Sequence, residues 1–219
     1  TREIPGAIAP ILASGRQQFV EPDKARIATF YSISNCQRGL AGVSFGNFLI
    51  KQVVEEICRE LPRLTTFVTL SPVPGFAQWL TREIKAENSS INQSDRITLE
   101  LLERPHWWTD PETFGQLEDP LMRAAAWYFL RAKNARGLPV DPVARFHLGN
   151  GARLERINWL GDTSDKAIAQ GYGLMVNYQY DLGDIEKNHE AYAEGRTVVA
   201  SNNVQRWLRP PLELVPIAG

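Results

Sequence analysis

Cysteine is nearly missing from this chain: Cys36 and Cys58 are the only two in 219 residues. Two cysteines make neither a disulfide framework nor a zinc site, and they fit a reducing, cytoplasmic setting. No apolar run approaches the roughly 18 residues that cross a bilayer. No signal peptide or basic presequence is recognisable at the start, and the absence of an initial Met makes the chain read as part of a longer protein. Lys and Arg (24) nearly balance Asp and Glu (25), for a net charge of −1. No global field therefore recruits nucleic acid or an anionic membrane. Also absent are a 20–50-residue repeat, the Gly-Lys-Ser/Thr of a Walker A loop, the dinucleotide GxGxxG and the GxSxG elbow of ordinary serine hydrolases. No cluster of residue types suggests a metal site.

The chain does have enough apolar residues for a sizeable core, at 43% hydrophobic, with six Trp, nine Phe and six Tyr. One compact domain over residues 1–219 accommodates them. Residues 5–24 read as a short helix and a polar connection. Residues 25–34 (ARIATFYSIS) alternate as a strand,. The spacing of Phe45, Leu49, Val53, Ile57 and Leu61, with Ile50 and Val54 beside them, predicts a helix over 45–61,. A strand follows at 65–70. Residues 77–136 read as largely helical, with a cap at Ser94 or Asp95 and a helix opening at Asp119–Pro120 and ending at Gly137. Two further β segments are expected at 154–160 and 173–181, with a tight turn at Gly149–Asn150–Gly151 before the first. The proline-rich tail is expected to wrap the surface. Helices between strands give an α/β or α+β class.

Three features carry possible chemistry. Arg38, Gly39, Gly42 and Gly46 lie in a glycine loop between the first strand and the first long helix. Free N–H groups at a helix start and glycines that permit close approach make this a candidate anion site, with a tight packing turn as the alternative. Ser71 stands where a β-prone run meets Pro72 and Pro74, so the strand is expected to stop there, either as a plain stop signal or to aim the hydroxyl. Of the three histidines, His106 sits among bulky residues and His189 in a charged, solvated stretch. His147 lies between apolar residues just before the Gly-Asn-Gly turn. Nucleophile and base must meet in space rather than in sequence, so spacing does not pair Ser71 with His147.

At these residues the sequence resembles a known family. The strings FYSISNCQRGLAGVSFGNFLIKQVVEEICRELP (30–62), LSPVPGF (70–76), DPVARFHLGNGARLERINWLGD (141–162) and GLMVNYQY (173–180) are similar, in order, to malonyl-CoA decarboxylase. The resemblance implies an α+β, acetyltransferase-like (GNAT) fold: a central mixed sheet splayed to grip coenzyme A, with flanking helices. It also implies a helical N-terminal domain and a further strand ahead of Thr1, assembly as a homo-oligomer, and malonyl-CoA and acetyl-CoA as substrate and product. The acyl-CoA contact maps onto Ala41, Gly42, Val43, Ser44, Phe45, Gly46 and Asn47, and some relatives carry glutamate where this chain has Ser44. The catalytic serine maps onto Ser71, the catalytic histidine onto His147 and an active-site tyrosine onto Tyr180; Asn150 stands close by in the turn.

The implied reaction needs no metal or organic cofactor, because the thioester is itself the electron sink. His147, charged near neutrality, would protonate the enolate carbon, and Ser71 would orient the carboxylate or relay a proton. A GNAT acyltransferase moving an acyl group to an amine, or a non-catalytic acyl-CoA-binding module, are the competing readings.

Overall fold

The computed structural model describes residues 1, 3–13, 21, 24–31 and 49–208. In chain order these form α1 (Ala9–Leu12), β1 (Ile27–Tyr31), α2 (Leu49–Glu60), β2 (Thr66–Pro72), α3 (Phe76–Lys85), α4 (Gln93–Leu99), α5 (Pro111–Leu130), α6 (Pro142–Gly149), β3 (Arg153–Asn158), α7 (Asp165–Gly171), β4 (Met175–Tyr180), α8 (Ile185–Ala193) and α9 (Asn202–Gln205). The strands make one mixed sheet in the order β1-β2-β4-β3. β1 and β2 are parallel, joined through α2, while β2–β4 and β4–β3 are antiparallel. The expected α+β class with a central mixed sheet is what forms.

Alternation along the strands fixes the two faces of the sheet. Phe67 of β2 with Val176, Tyr178 and Tyr180 of β4 turn to one side and join an apolar cluster that includes Phe76, Leu80, Leu117, Leu121 and Leu148. Across the other face runs the N-terminal segment: Arg156 donates to the Ile4 carbonyl at 2.7 Å and Asn177 to the Pro5 carbonyl at 3.1 Å.

Several local expectations are corrected. β2 does not stop at Ser71; it continues to Pro72, which pairs with Met175. The register with β1 ends at Tyr31↔Leu70, so the missing proline donor interrupts no described ladder on that side. On α2 it is Val54, not Val53, that is buried, and Val53 is 41% exposed. Asp119–Pro120 does not open a helix. Asp110 and Pro111 carry the same signature earlier, and the Asp110 side chain accepts the Thr113 N–H at 3.3 Å. An interior proline costs a helix roughly 3 kcal/mol, offset here by burial of Leu117, Pro120, Leu121 and Met122 on one helix. That helix ends at Leu130, well before Gly137. α4 is capped by Asn92, whose side chain accepts the Asp95 N–H at 2.8 Å; the Asp95 carboxylate is instead paired with Arg123. The tail beyond 208 lies outside the described residues.

One buried cap bears directly on the site. Asp141 is fully buried; it caps α6 by accepting the Ala144 N–H at 2.7 Å and also accepts the Tyr128 hydroxyl at 3.2 Å. Burial pushes the Asp141 carboxyl above its ordinary pKa. The Tyr128 oxygen lies 3.0 Å from where a Cβ on Gly75 would stand, so a larger residue in the turn after Ser71 would have to shift that hydroxyl by a few tenths of an ångström. Asp141→Ala is expected to cost about 2–4 kcal/mol, the sum of a lost cap and an orphaned buried hydroxyl. A lower urea midpoint at unchanged m-value would show it.

Candidate active site

Ser71 is the penultimate residue of β2, His147 is on α6 and Tyr180 is the last residue of β4. All three side chains are buried: Ser71 is 5% exposed, His147 2% and Tyr180 1%. Pro142 at the first helical position and Asp141 at the cap start α6,. His147 then falls on the inward face of α6 together with Ala144 and Leu148.

Residues 76 positions apart now meet. Ser71 Oγ lies 3.2 Å from His147 Nε2. The other ring nitrogen, Nδ1, lies 2.8 Å from the Tyr180 hydroxyl. Ser71 Oγ also donates to Thr69 Oγ1 at 3.0 Å. The imidazole is stacked on the Tyr178 ring, with centroids 4.4 Å apart and planes 23° from parallel. Imidazole and hydroxyl thus share one place at the end of β2.

Behind Ser71 the β2–β4 ladder lapses without changing register. Phe67↔Tyr180 and Val68↔Gln179 are paired, and so are Ser71↔Val176 and Pro72↔Met175, but Thr69 and Leu70 are not. Side chains fill the interval. Tyr178 N–H donates to Thr69 Oγ1 at 3.1 Å, and the Asn177 amide donates to the Thr69 carbonyl at 2.7 Å.

Burial dominates the electrostatics. It holds the His147 pKa down to about 3, because a cation buried in the interior loses its hydration. His147 is therefore a neutral imidazole at pH 7, and the expectation of a ring charged near neutrality is corrected. Burial likewise raises Tyr180 and Tyr178 above the ordinary phenol range.

Of the residues singled out in the sequence, the structure brings together Ser71, His147 and Tyr180. It does not bring Asn150 to them. Asn150 ends α6, and its amide donates to the Phe146 carbonyl at 2.8 Å. Its φ is −92°, and Gly151, at φ +78°, takes the left-handed position instead. His189 is not simply solvated, since its Nδ1 lies 2.8 Å from the Gly149 carbonyl at the end of α6. The coenzyme A loop candidates Arg38, Gly39, Ala41, Gly42, Val43, Ser44, Phe45, Gly46 and Asn47 lie outside the described residues. Thr69 and Tyr178 were overlooked. The signal was available: each stands two residues before a flagged residue on the same strand, hence on the same face. Among the described residues no group of three or more His, Cys, Asp or Glu is placed to hold a metal ion. No helix among them is long and apolar enough to cross a membrane.

Residues 1–215 match the family model described as "Malonyl-CoA decarboxylase C-terminal domain". Over 203 residues the chain is 39% identical to "Malonyl-CoA decarboxylase, mitochondrial" of Anser anser anser, covering 84% of this chain and 40% of that protein. The protein of the same name from Rattus norvegicus is 38% identical over 203 residues, covering 84% and 41%. This chain thus spans about two fifths of the length of those relatives. The crystal structure of malonyl-CoA decarboxylase from Rhodopseudomonas palustris superposes with a TM-score of 0.90 at 56% identity, over 94% of this chain and 47% of that one. The structure from Agrobacterium vitis gives a TM-score of 0.89 at 53% identity, over 96% and 52%.

Proposed function

The chain belongs to the malonyl-CoA decarboxylase family, and from that premise we propose that it carries the site at which malonyl-CoA loses CO2 to give acetyl-CoA. The single observation that carries this reading is the 3.2 Å approach of Ser71 Oγ to His147 Nε2, both side chains being buried. Two adjoining side chains that can each pass a proton suit a three-carbon acyl group on a thioester.

Loss of CO2 leaves an electron pair that delocalises onto the thioester oxygen as an enolate. The pocket has three tasks. It holds the carboxylate out of the thioester plane, so that the breaking bond overlaps the carbonyl π system. It places hydrogen-bond donors on the oxygen where charge develops. It delivers a proton to the enolate carbon. A neutral site can do the last, because an enolate carbon is a far stronger base than an imidazole nitrogen or a hydroxyl oxygen. The dryness that depresses the His147 pKa acts on the substrate in the same direction. A localised carboxylate is poorly tolerated there, and the reaction disperses its charge. The thioester serves as the electron sink, so this reading calls on no metal or organic cofactor.

The same reading places the acyl-CoA contact at residues 41–47. It also assigns assembly to copies of the same protein and the work to the reducing cytoplasm, although the curated relatives carry the word mitochondrial in their names.

The test is incubation of the purified protein with malonyl-CoA and no acyl acceptor, before and after dialysis against a chelator. Equal CO2 release with stoichiometric acetyl-CoA is expected in both. Turnover only when an amine is added would make the site a transferase, and calorimetric binding without turnover would make it a binding module.

A further inference from the structure

We propose that Thr69 is a positioning residue that sets the direction in which protons are donated through this site, an inference that rests on Ser71 and His147 being the reacting pair. Four side chains stand in line. Tyr180 Oη is 2.8 Å from His147 Nδ1, Nε2 is 3.2 Å from Ser71 Oγ, and Ser71 Oγ is 3.0 Å from Thr69 Oγ1. A neutral imidazole has one N–H and one lone pair, so the line runs one way or the other.

The two ends of the line decide which, since Thr69 is the acceptor Ser71 needs to turn its proton from the ring and the shortest contact, at the other end, agrees. A phenol is the most acidic of the three hydroxyls and the poorest acceptor, and the imidazole lone pair is the strongest acceptor present. The 2.8 Å contact is therefore O–H···N, from Tyr180 to Nδ1. The ring proton then sits on Nε2 and is donated to Ser71. That leaves the Ser71 proton to point at Thr69, the direction in which the structure has it. Thr69 is fully buried, so water does not compete for the bond. Its oxygen is held in place in the lapsed part of the ladder by the Tyr178 N–H, and its carbonyl by Asn177.

This direction has a chemical meaning. A serine activated for attack donates its proton to the imidazole. Here Ser71 accepts from the imidazole and is turned away from it, which suppresses attack on the thioester carbonyl and so suppresses hydrolysis. Once the enolate exists, the Ser71 O–H turns from Thr69 to the carbon. The C–H bond forms as that O–H bond breaks. Ser71 Oγ takes the Nε2 proton and Nδ1 takes the Tyr180 proton; a proton from water, entering at Ser71, then returns each proton to its starting atom, and the hydroxide left over is taken up by the released CO2 as bicarbonate.

The experiment is ¹⁵N NMR of the His147 ring together with kinetics of Thr69→Val and Thr69→Ser. The wild-type resting protein is expected to show the Nε2–H tautomer. Thr69→Val should shift it to Nδ1–H, lower kcat about tenfold, as for one lost hydrogen bond, and leave KM for malonyl-CoA within about twofold. It should also raise free coenzyme A thiol released relative to CO2, a change that mere loosening of the fold does not produce. Thr69→Ser keeps the hydroxyl and should restore both ratio and tautomer. A Thr69→Val protein with the wild-type tautomer and the wild-type thiol-to-CO2 ratio would overturn the inference. If Thr69→Val does not fold, the wild-type spectrum alone decides, since an Nδ1–H tautomer there reverses the line. A tautomer that switches as expected in a chain that releases no CO2 would uphold the network and overturn the decarboxylase reading instead.

Discussion

Replacing His147 by alanine is expected to lower CO2 release from malonyl-CoA by roughly 10²–10⁴-fold, the range for a lost proton-transfer group. Acetyl-CoA affinity, measured by calorimetry, should stay nearly unchanged, because the imidazole is aimed at the acyl end. The expectation is sharpened by the pKa. With His147 held down to about 3, kcat in the wild type should cross the ordinary histidine range near 6.5 without an inflection. A bell-shaped profile centred there would mean that the working imidazole is cationic after all. Stability carries the same signature. Below about pH 6.5 the unfolded chain binds a proton at this histidine that the folded chain refuses, so stability is fully present above that pH and falls as the pH drops toward 3,. His147→Ala should flatten that part of the pH–stability curve.

Ser71→Ala is the second large effect. Removing Oγ takes away the group that hands its proton to the enolate carbon and interrupts the line between His147 and Thr69, and a loss of about 10²–10⁴ in kcat is the scale for one such proton donor. The change in volume is small and Ser71 sits inside a paired stretch of strand, so the fold should survive it. Because the two groups act as a unit, the double variant His147→Ala/Ser71→Ala should lose little more than the worse single variant. Fully multiplied losses would separate the residues into independent roles. Ser71→Ala with undiminished CO2 release would leave Ser71 as nothing more than a strand residue.

Much of the frame was legible in the sequence. β-prone runs located all four strands to within two residues at most ends, and the resemblance named Ser71, His147 and Tyr180. What sequence could not supply was their meeting: the contact between Ser71 and His147 depends on how α6 packs over the β2–β4 pair, a tertiary outcome that no spacing encodes. Two Asp–Pro pairs, at 110–111 and 119–120, carry the same local helix-start signal. Only burial of the face containing Leu117 and Leu121 decides that Pro120 lies inside the helix. α6 opens on a legible signal, Asp141–Pro142, but the Gly149–Asn150–Gly151 run that closes it reads on its own only as a turn. The protonation state of His147 was misread for a related reason: composition around a histidine does not reveal how dry its pocket is. Asn150 was a plausible neighbour by position, and a helix-terminal bond to Phe146 claimed it.

The Tyr128 hydroxyl ties two halves of the site that share no covalent neighbourhood. It abuts the Gly75 turn that leaves Ser71's strand and holds the Asp141 cap from which His147's helix begins. The gap between the reacting groups is thus gauged by the protein's interior rather than by a surface loop. Catalytic competence and the folded state should therefore vanish at one temperature, with no inactive but still native intermediate between them.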